Sequence, residues 1–418
     1  MRVLLINNHC LDDPTAGVTQ SLRTMVKWLA EAGHACAVVT TVRVETSGFD
    51  VASSLRARGV DAPAPRPARG GVPAVDYRMG DVPVSLLMTQ HHDEARPDRD
   101  EWAGYVGVVE RQLRQHAPDL LIACNAHPMI GESLARARRQ GVTTTFTLRS
   151  YGYEDPRYFA DVDAVFTCSR FLSQWYGRRI GLASTPIEPP LDWSTVRAPD
   201  GDRAFVTFVH PAPHKGLYLF ARLADMLGSR RPDIPLLIVQ SGHSAGALNG
   251  LAGLDFSRYP QILAAPPVAT PAEYFALTRL LLVPSVWHEP FGRVAAEALI
   301  NGIPALVSDR GALPDVIGGD VNDGGAGRVL RLPGWMTYQT TAVPTAAEVE
   351  AWYDAVCEAW DDAGRYRVMA DRARRLADAR YSEVRSRSLH LDYFSSLVSG
   401  ERPAGTPPVA ESASGLQT

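Results

Sequence analysis

The chain has 418 residues, 45% hydrophobic and 21% charged, the composition of a globular protein and not of a disordered, collagenous or disulfide-stapled one. Its 42 basic and 46 acidic residues give a formal charge of -4, without the cationic excess a nucleic-acid surface needs, so nucleic acid is set aside as a partner. At roughly 150 residues per domain the length points to two or three domains, with two as the starting expectation.

Five cysteines, Cys10, Cys36, Cys124, Cys168 and Cys357, form an odd set without C-x-x-C spacing, most of them inside apolar runs. They read as small buried hydrophobes of a reducing compartment. The apolar opening 2–6 turns polar at Asn7, too soon for a signal peptide, and no apolar run reaches membrane-spanning length. The expectation is a cytoplasmic protein without a transmembrane segment, with a peripheral membrane contact left open. Among the basic residues only Lys27 and Lys215 are lysine, a skew that suggests GC-rich coding.

In chain order, an apolar strand at 2–6, a Gly/Pro loop at 12–17, an amphipathic helix at 19–32 and a second strand at 35–40 make a β-loop-α-β unit, the seed of a parallel doubly wound sheet. The stretch 46–73, rich in Pro, Gly and Arg, reads as a loop with little core of its own, and 75–88 reads as a hairpin around Gly80-Asp81. Strands follow at 120–124, 143–148 and 164–168, with a helix at 131–139 and another after Ser169. The proline-rich stretch around 186–203 loses all periodicity and reads as a linker, placed at 191–202, between domains 1–190 and 203–380. Beyond it the alternation restarts. Strands are expected at 205–209, 235–240, 261–265, 280–284 and 304–308, with helices at 217–227, 271–277 and 292–301. Long helical patterns occupy 346–362, 365–379 and 383–398, the helix 381–398 is expected to return to the first domain, and 399–418 reads as a disordered tail.

Open parallel sheets bind ligands outside the carboxyl ends of their strands, so the chemistry is sought in the strand-to-helix loops, and two such domains imply a cleft between facing strand ends. The first loop lacks G-x-G-x-x-G, and no loop ends Gly-Lys-Ser/Thr, which demotes a nicotinamide enzyme and a nucleoside triphosphatase. The loop His210-Pro211-Ala212-Pro213-His214-Lys215-Gly216 delivers one of the two lysines to a helix start, where free N–H groups and the positive dipole end already favour an anion, a phosphate above all. A solvated lysine in a turn is the bland alternative. The densest motif is Glu289-Pro290-Phe291-Gly292-Arg293-Val294-Ala295-Ala296-Glu297, whose two carboxylates, eight residues apart across a helix start, can hold opposite ends of one polar ligand. A carboxylate accepts from two neighbouring hydroxyls, as in ribose recognition. Against this, Glu289 could cap the helix and Glu297 lie on a solvated face, yet Glu297 sits among alanines and a leucine, where an acid without a partner is costly.

This stretch, with the Pro213-His214-Lys215-Gly216 loop and the run 304–317, closely resembles the retaining glycosyltransferases of family 4, across nearly the whole chain and most strongly over 205–318. The resemblance implies an α/β protein of GT-B fold, two doubly wound Rossmann-like domains facing a central cleft. It implies an enzyme that moves a sugar from a nucleotide diphosphate sugar to a hydroxyl acceptor, small-molecule, glycan or lipid-linked, with retention at the anomeric carbon. Lys215 then holds the donor diphosphate, Glu297 the ribose hydroxyls and Glu289 the donor sugar, with backbone contacts from Phe291 and Gly292 and the acceptor on the first domain. Gly17 matches a glycine-containing loop near the diphosphate and acceptor, with Ala16-Gly17 in place of the common Gly-Gly pair, and His127 resembles an active-site histidine beside the donor sugar.

One departure stands out: the family usually has an arginine five residues before the lysine, and here that residue is His210. Either Arg293 supplies the charge or His210 acts protonated. A binding-only descendant that holds a nucleotide sugar without turnover is the runner-up, and a GT-B phosphorylase or epimerase a third reading. No metal and no cofactor is expected. His91-His92-Asp93-Glu94 has no spaced partner, and Asp161-Val162-Asp163 precedes its strand at the end away from the chemistry.

Overall fold

The structure, a computed structural model, describes residues 1–13, 16–44, 50–57, 59–60, 72–89, 98–125, 127–319 and 325–400. It divides into two compact units, one made of Met1–Pro190 with Arg387–Thr418 and the other of Leu191–Ser386. Each is a mostly parallel α/β sheet.

In the first unit the strands are β1 (Arg2–Ile6), β2 (Ala35–Thr41), β3 (Ala74–Met79), β4 (Val82–Leu87), β5 (Leu120–Cys124), β6 (Thr143–Leu148), β7 (Ala164–Thr167) and β8 (Thr185–Pro186). They lie in the order β3-β4-β2-β1-β5-β6-β7-β8, all parallel except the antiparallel β3-β4 hairpin. The central strands are buried along most of their length because both faces are covered, and every residue of β5, Leu-Leu-Ile-Ala-Cys, is buried. Val3 and Leu5 share a core with Leu22, Met25 and Leu29 of the helix Gly17–Glu31 and with Tyr393 and Phe394 of the final helix Glu383–Ser399. Phe166 of β7 holds those two aromatic rings at 5.3 and 5.6 Å.

In the second unit β9 (Phe205–Val209), β10 (Leu236–Val239), β11 (Ile262–Ala265), β12 (Thr278–Val283), β13 (Ala305–Ser308) and β14 (Gly327–Leu330) form one parallel sheet in the order β11-β10-β9-β12-β13-β14. Phe208 of β9 stacks on Phe220 of the helix Leu217–Arg230 at 4.4 Å, inside a core that also takes Trp352 from the helix Ala346–Asp361.

Several expectations change. The stretch read as a linker folds into the second unit: Asp192 caps a helical turn, Trp193–Val196, while Asn301 donates to the Val196 carbonyl at 3.0 Å and accepts from the Ala198 amide at 2.7 Å. That partner lies a hundred residues away, so local composition conceals it. The stretch 46–73 holds a short helix, Val51–Ala57, that buries Val51 and Leu55, and the rest of it falls largely outside the described residues. The helix Arg99–Gln115 had no counterpart among the expected elements, although its start carries a capping box: Asp98 accepts from the amides of Asp100 and Glu101, and Glu101 accepts from the Asp98 amide. His91 to Glu94 and the tail from residue 401 lie outside the described residues. All five cysteines are free thiols, four of them buried. Among the described residues no helix is long and apolar enough to cross a membrane.

Candidate functional site

In the second sheet β9 lies between β10 and β12, so the chain leaves it toward one side and returns on the other, a topological switch point. The loops after β9 and β12 therefore meet, and they carry the two sequence motifs. After β9 the chain passes a 3₁₀ turn, Pro213–Lys215, and enters the helix Leu217–Arg230 through Gly216. Gly216 has φ +93°, and a Cβ there would lie 2.0 Å from the Pro284 carbonyl oxygen at the end of β12. Glycine is required twice over, by the left-handed backbone and by this close approach. The approach brings Lys215 against the second motif: its Nζ donates to Glu289 Oε1 at 2.7 Å, across 74 residues of sequence.

Glu289 is buried, and three devices fix it. Ser285 Oγ donates to the same Oε1 at 2.9 Å. The backbone of Glu289 pairs with Gly311, and its carbonyl accepts from the Ala312 amide at 2.9 Å. Gly311, at φ +66°, sits so close that a Cβ would fall 2.3 Å from the Glu289 carbonyl oxygen. Burial pushes the carboxyl up, but the Lys215 charge, the bonds from Lys215 and Ser285 and the His214 field outweigh it, and the net effect lowers its pKa. Glu289 is thus an anion held ready. Both bonds fall on Oε1, and among the described residues no donor reaches Oε2, which is left to accept from a ligand hydroxyl.

Gly292 precedes the helix Arg293–Ile300 in the left-handed conformation, and Phe291, buried, packs edge-on to Tyr381 at 6.0 Å. Glu297 is buried in the second turn, and the partner its apolar surroundings demand is Arg293, one turn earlier, at 2.9 Å. The Arg293 cation is accordingly already engaged with Glu297. Arg310, after β13, pairs with Asp309 at 3.1 Å.

His210 sits at the end of β9 with φ +64°. Burial first, then the Lys215 charge, then His243 and His214 pull its pKa down to about 4, with Glu289 pulling the other way. The imidazole is therefore neutral near pH 7 in the ligand-free protein, so the expectation of a protonated His210 does not describe this state. His214 is lowered as well, by burial and by Lys215. Sequence reading missed His243, in the loop after β10; its ring lies 5.0 Å from that of His210, and only the β9-β10 pairing connects the two loops.

In the first unit Gly17 opens the helix after β1, behind Ala16, and His127 precedes the helix Pro128–Arg139 after β5. Since β1 and β5 are neighbours, the two positions share one end of that sheet. Between them lies a polar cluster that sequence reading also missed. Asn125, at φ +69°, sets its Nδ2 within 2.8 Å of Asn7 Oδ1, 2.7 Å of Asn8 Oδ1 and 2.9 Å of His9 Nδ1. The Tyr105 hydroxyl donates to the Asn7 carbonyl at 3.0 Å. The signal was the Asn7-Asn8-His9 run directly after a buried strand, where polar residues must find partners. Asp163 does not face this end: its Oδ2 accepts from the Thr144 amide and hydroxyl, both at 2.9 Å, where β6 begins. Among the described residues no group of three or more His, Cys, Asp or Glu could hold a metal ion.

Residues 192–326 match the family described as "Glycosyl transferases group 1", and residues 271–386 match "Family 4 Glycosyltransferase in conflict systems". A D-inositol 3-phosphate glycosyltransferase of Paenarthrobacter aurescens is 27% identical over 198 residues, a stretch that covers 44% of this chain and only 42% of that enzyme. Among solved structures, a glycosyltransferase from Rickettsia africae superposes with a TM-score of 0.67 at 12% identity, over 95% of this chain and 98% of the other. Anabaena Alr3699/HepE in complex with UDP-glucose gives 0.62 at 16%, over 95% and 100%. The catalytic domain of starch synthase IV from Arabidopsis thaliana, bound to ADP and acarbose, gives 0.63 at 12%, over 95% and 99%. At these identities the likeness is one of fold, and the fold of these neighbours is GT-B.

Proposed function

We propose that the chain, whose second unit matches the group 1 and family 4 glycosyltransferase models, transfers a sugar from a nucleotide diphosphate sugar to a hydroxyl acceptor with retention at the anomeric carbon and without a metal ion. The observation that carries this reading is the Lys215–Glu289 pair at the switch point of the second sheet, beside the start of the helix Leu217–Arg230. The lysine and the helix start are the partners for a diphosphate, and the open oxygen of Glu289 is the partner for a sugar hydroxyl. The nucleotide sugar and nucleoside diphosphate carried by the fold neighbours support the same ligand class. A cytoplasmic setting belongs to the proposal too and rests on the five free thiols.

In the proposed reaction the bond from the anomeric carbon to the diphosphate oxygen breaks while the acceptor oxygen bonds to that carbon on the same face. The acceptor proton passes to the departing diphosphate. Lys215 meets charge that grows on the leaving group, so its contribution is greatest in the transition state, whereas Glu297, through the ribose, holds a part that does not react. Glu289 orients the sugar, His127 acts beside it, and Gly17 lies near the diphosphate and the acceptor.

The test incubates the purified chain with UDP-, GDP- and ADP-sugars in excess chelator, following nucleoside diphosphate release and the anomeric configuration of the product by NMR. Release with an unchanged anomer supports the proposal. An inverted anomer, or a rate restored only by Mg²⁺ or Mn²⁺, overturns the retaining or the metal-free part. Binding without turnover of any donor points to a binding protein.

A further inference from the structure

The cations of the second unit's site are already spoken for. Lys215 pairs with Glu289, Arg293 with Glu297 and Arg310 with Asp309, at 2.7, 2.9 and 3.1 Å, so among these described residues formal charge sums to zero. A diphosphate brings two to three negative charges into this neutral ground, and the helix start supplies only about half a positive charge. Three imidazoles stand where the deficit falls. The ring of His210 lies 5.8 Å from that of His214 and 5.0 Å from that of His243, and the three come from two adjacent strand ends: His210 and His214 from the loop after β9, His243 from the loop after β10. His288 is not of this group, since the charges that act on it are those of Arg310 and Asp309.

We infer that His210, His214 and His243 complete the diphosphate cradle around Lys215, and that His210 and His214 take up protons from solvent as the anion arrives, releasing them when it leaves. The inference rests on the donor reading above and adds residues His214 and His243 to it. The groups that face His210 are Lys215, His214 and His243, which oppose its protonation, and Glu289, which favours it. In the empty site burial and the lysine hold His210 and His214 neutral. An anion within hydrogen-bond reach reverses the balance, because an opposite charge at that distance outweighs a lysine already shared with Glu289. An imidazolium also offers two N–H donors where the neutral ring offers one. The left-handed backbone at His210 fits this use, since it turns the chain sharply before the Pro213–Lys215 turn and is a conformation that Asn also tolerates, which provides a clean variant.

The experiment titrates the full chain calorimetrically with UDP, ADP, GDP and inorganic pyrophosphate at pH 7, in buffers of high and low ionisation enthalpy. Expected is a binding enthalpy that depends on the buffer, with about one proton taken up per diphosphate, and an affinity that rises up to tenfold per unit fall in pH for each proton taken up. His210→Asn, which keeps the backbone shape and a donor but cannot titrate, abolishes most of the uptake, and His214→Asn reduces it. The difference between native chain and variant cancels the ligand's own titration. Tight binding with a buffer-independent enthalpy, or uptake unchanged in both variants, overturns the inference and leaves the donor reading standing. Failure of all four probes to bind overturns both.

Discussion

The two units present the same architectural feature, a polar cluster at the carboxyl ends of adjacent central strands, and build it from opposite materials. In the second unit the cluster is ionic, with Lys215, Glu289, Arg293 and Glu297 in short, mostly buried pairs. In the first it is neutral, with the amides of Asn7, Asn8 and Asn125, the ring of His9 and the hydroxyl of Tyr105. Paired charges with histidines beside them suit a ligand that brings and gathers charge; amides that both donate and accept suit a neutral polyhydroxyl ligand. Under the proposed reaction, the ionic cluster would manage the leaving group and the neutral cluster would recognise the acceptor alcohol.

The second cluster depends on close backbone approaches, so the largest effects are expected from its glycines. Gly216→Ala would drive a Cβ to 2.0 Å from the Pro284 carbonyl, and Gly311→Ala to 2.3 Å from that of Glu289, both at positive φ. Each is expected to cost more than about 3 kcal/mol and to abolish nucleoside diphosphate binding. Gly33, at φ +83° with nothing within 4 Å, is the control: alanine there should cost about 1 kcal/mol, the left-handed penalty alone. Chemical denaturation of the three variants checks this, and equal losses would mean that the close approaches do not hold the site.

Next come the charges themselves. Lys215→Ala should lower kcat/KM about 100-fold or more. Glu289→Gln should lower kcat while nucleoside diphosphate binding persists, since it frees the lysine. Because each side chain is the other's partner, the double variant should lose less stability than the sum of the singles, by about 1–3 kcal/mol in a double-mutant cycle. Strict additivity would show the pair to be energetically idle.

A smaller effect is a pH dependence in the ligand-free protein. The folded pKa of His210 is about 4 against an ordinary value of 6.5. As pH falls from 6.5 to 4 the unfolded chain binds a proton that the folded chain refuses, so stability declines across that window and the decline from this group ends below it. His210→Asn should remove this part of the acid loss, read as a shallower fall in the denaturation midpoint between pH 7 and 4. An unchanged slope would place the acid loss elsewhere.

How legible all this was follows the same division. The ionic cluster announced itself because charged residues in an apolar run stand out: Lys215 at a helix start and Glu297 among alanines both demanded partners, and the partner of Glu297 proved to be Arg293, one turn away. What could not be read was the contact across distant sequence. His243 reaches His210 only because β10 lies beside β9, and Asn301 orders 191–202 only because the helix Arg293–Ile300 ends there. The neutral cluster was the least visible. Asparagines in loops are ordinary turn residues, and nothing local distinguishes Asn125, which ties three side chains together, from one that faces water.

The neutral cluster therefore supplies the finest test of the comparison. Asn125 does two separable things: its backbone holds φ +69°, and its amide gathers Asn7, Asn8 and His9. Asn125→Gly keeps the first and loses the second; Asn125→Ala loses both and adds about 1 kcal/mol of left-handed strain. If the cluster shapes the acceptor side, both variants should raise acceptor KM by roughly 10-fold, the worth of a hydrogen bond or two, with the alanine variant also less stable than the glycine variant by that strain. Donor KM and nucleoside diphosphate affinity should stay within twofold of native in both, because no charge of the second cluster has been touched. A glycine variant with native acceptor KM would mean that only the backbone turn matters, and a change in donor affinity as large as that in acceptor KM would dissolve the division of labour between the two clusters.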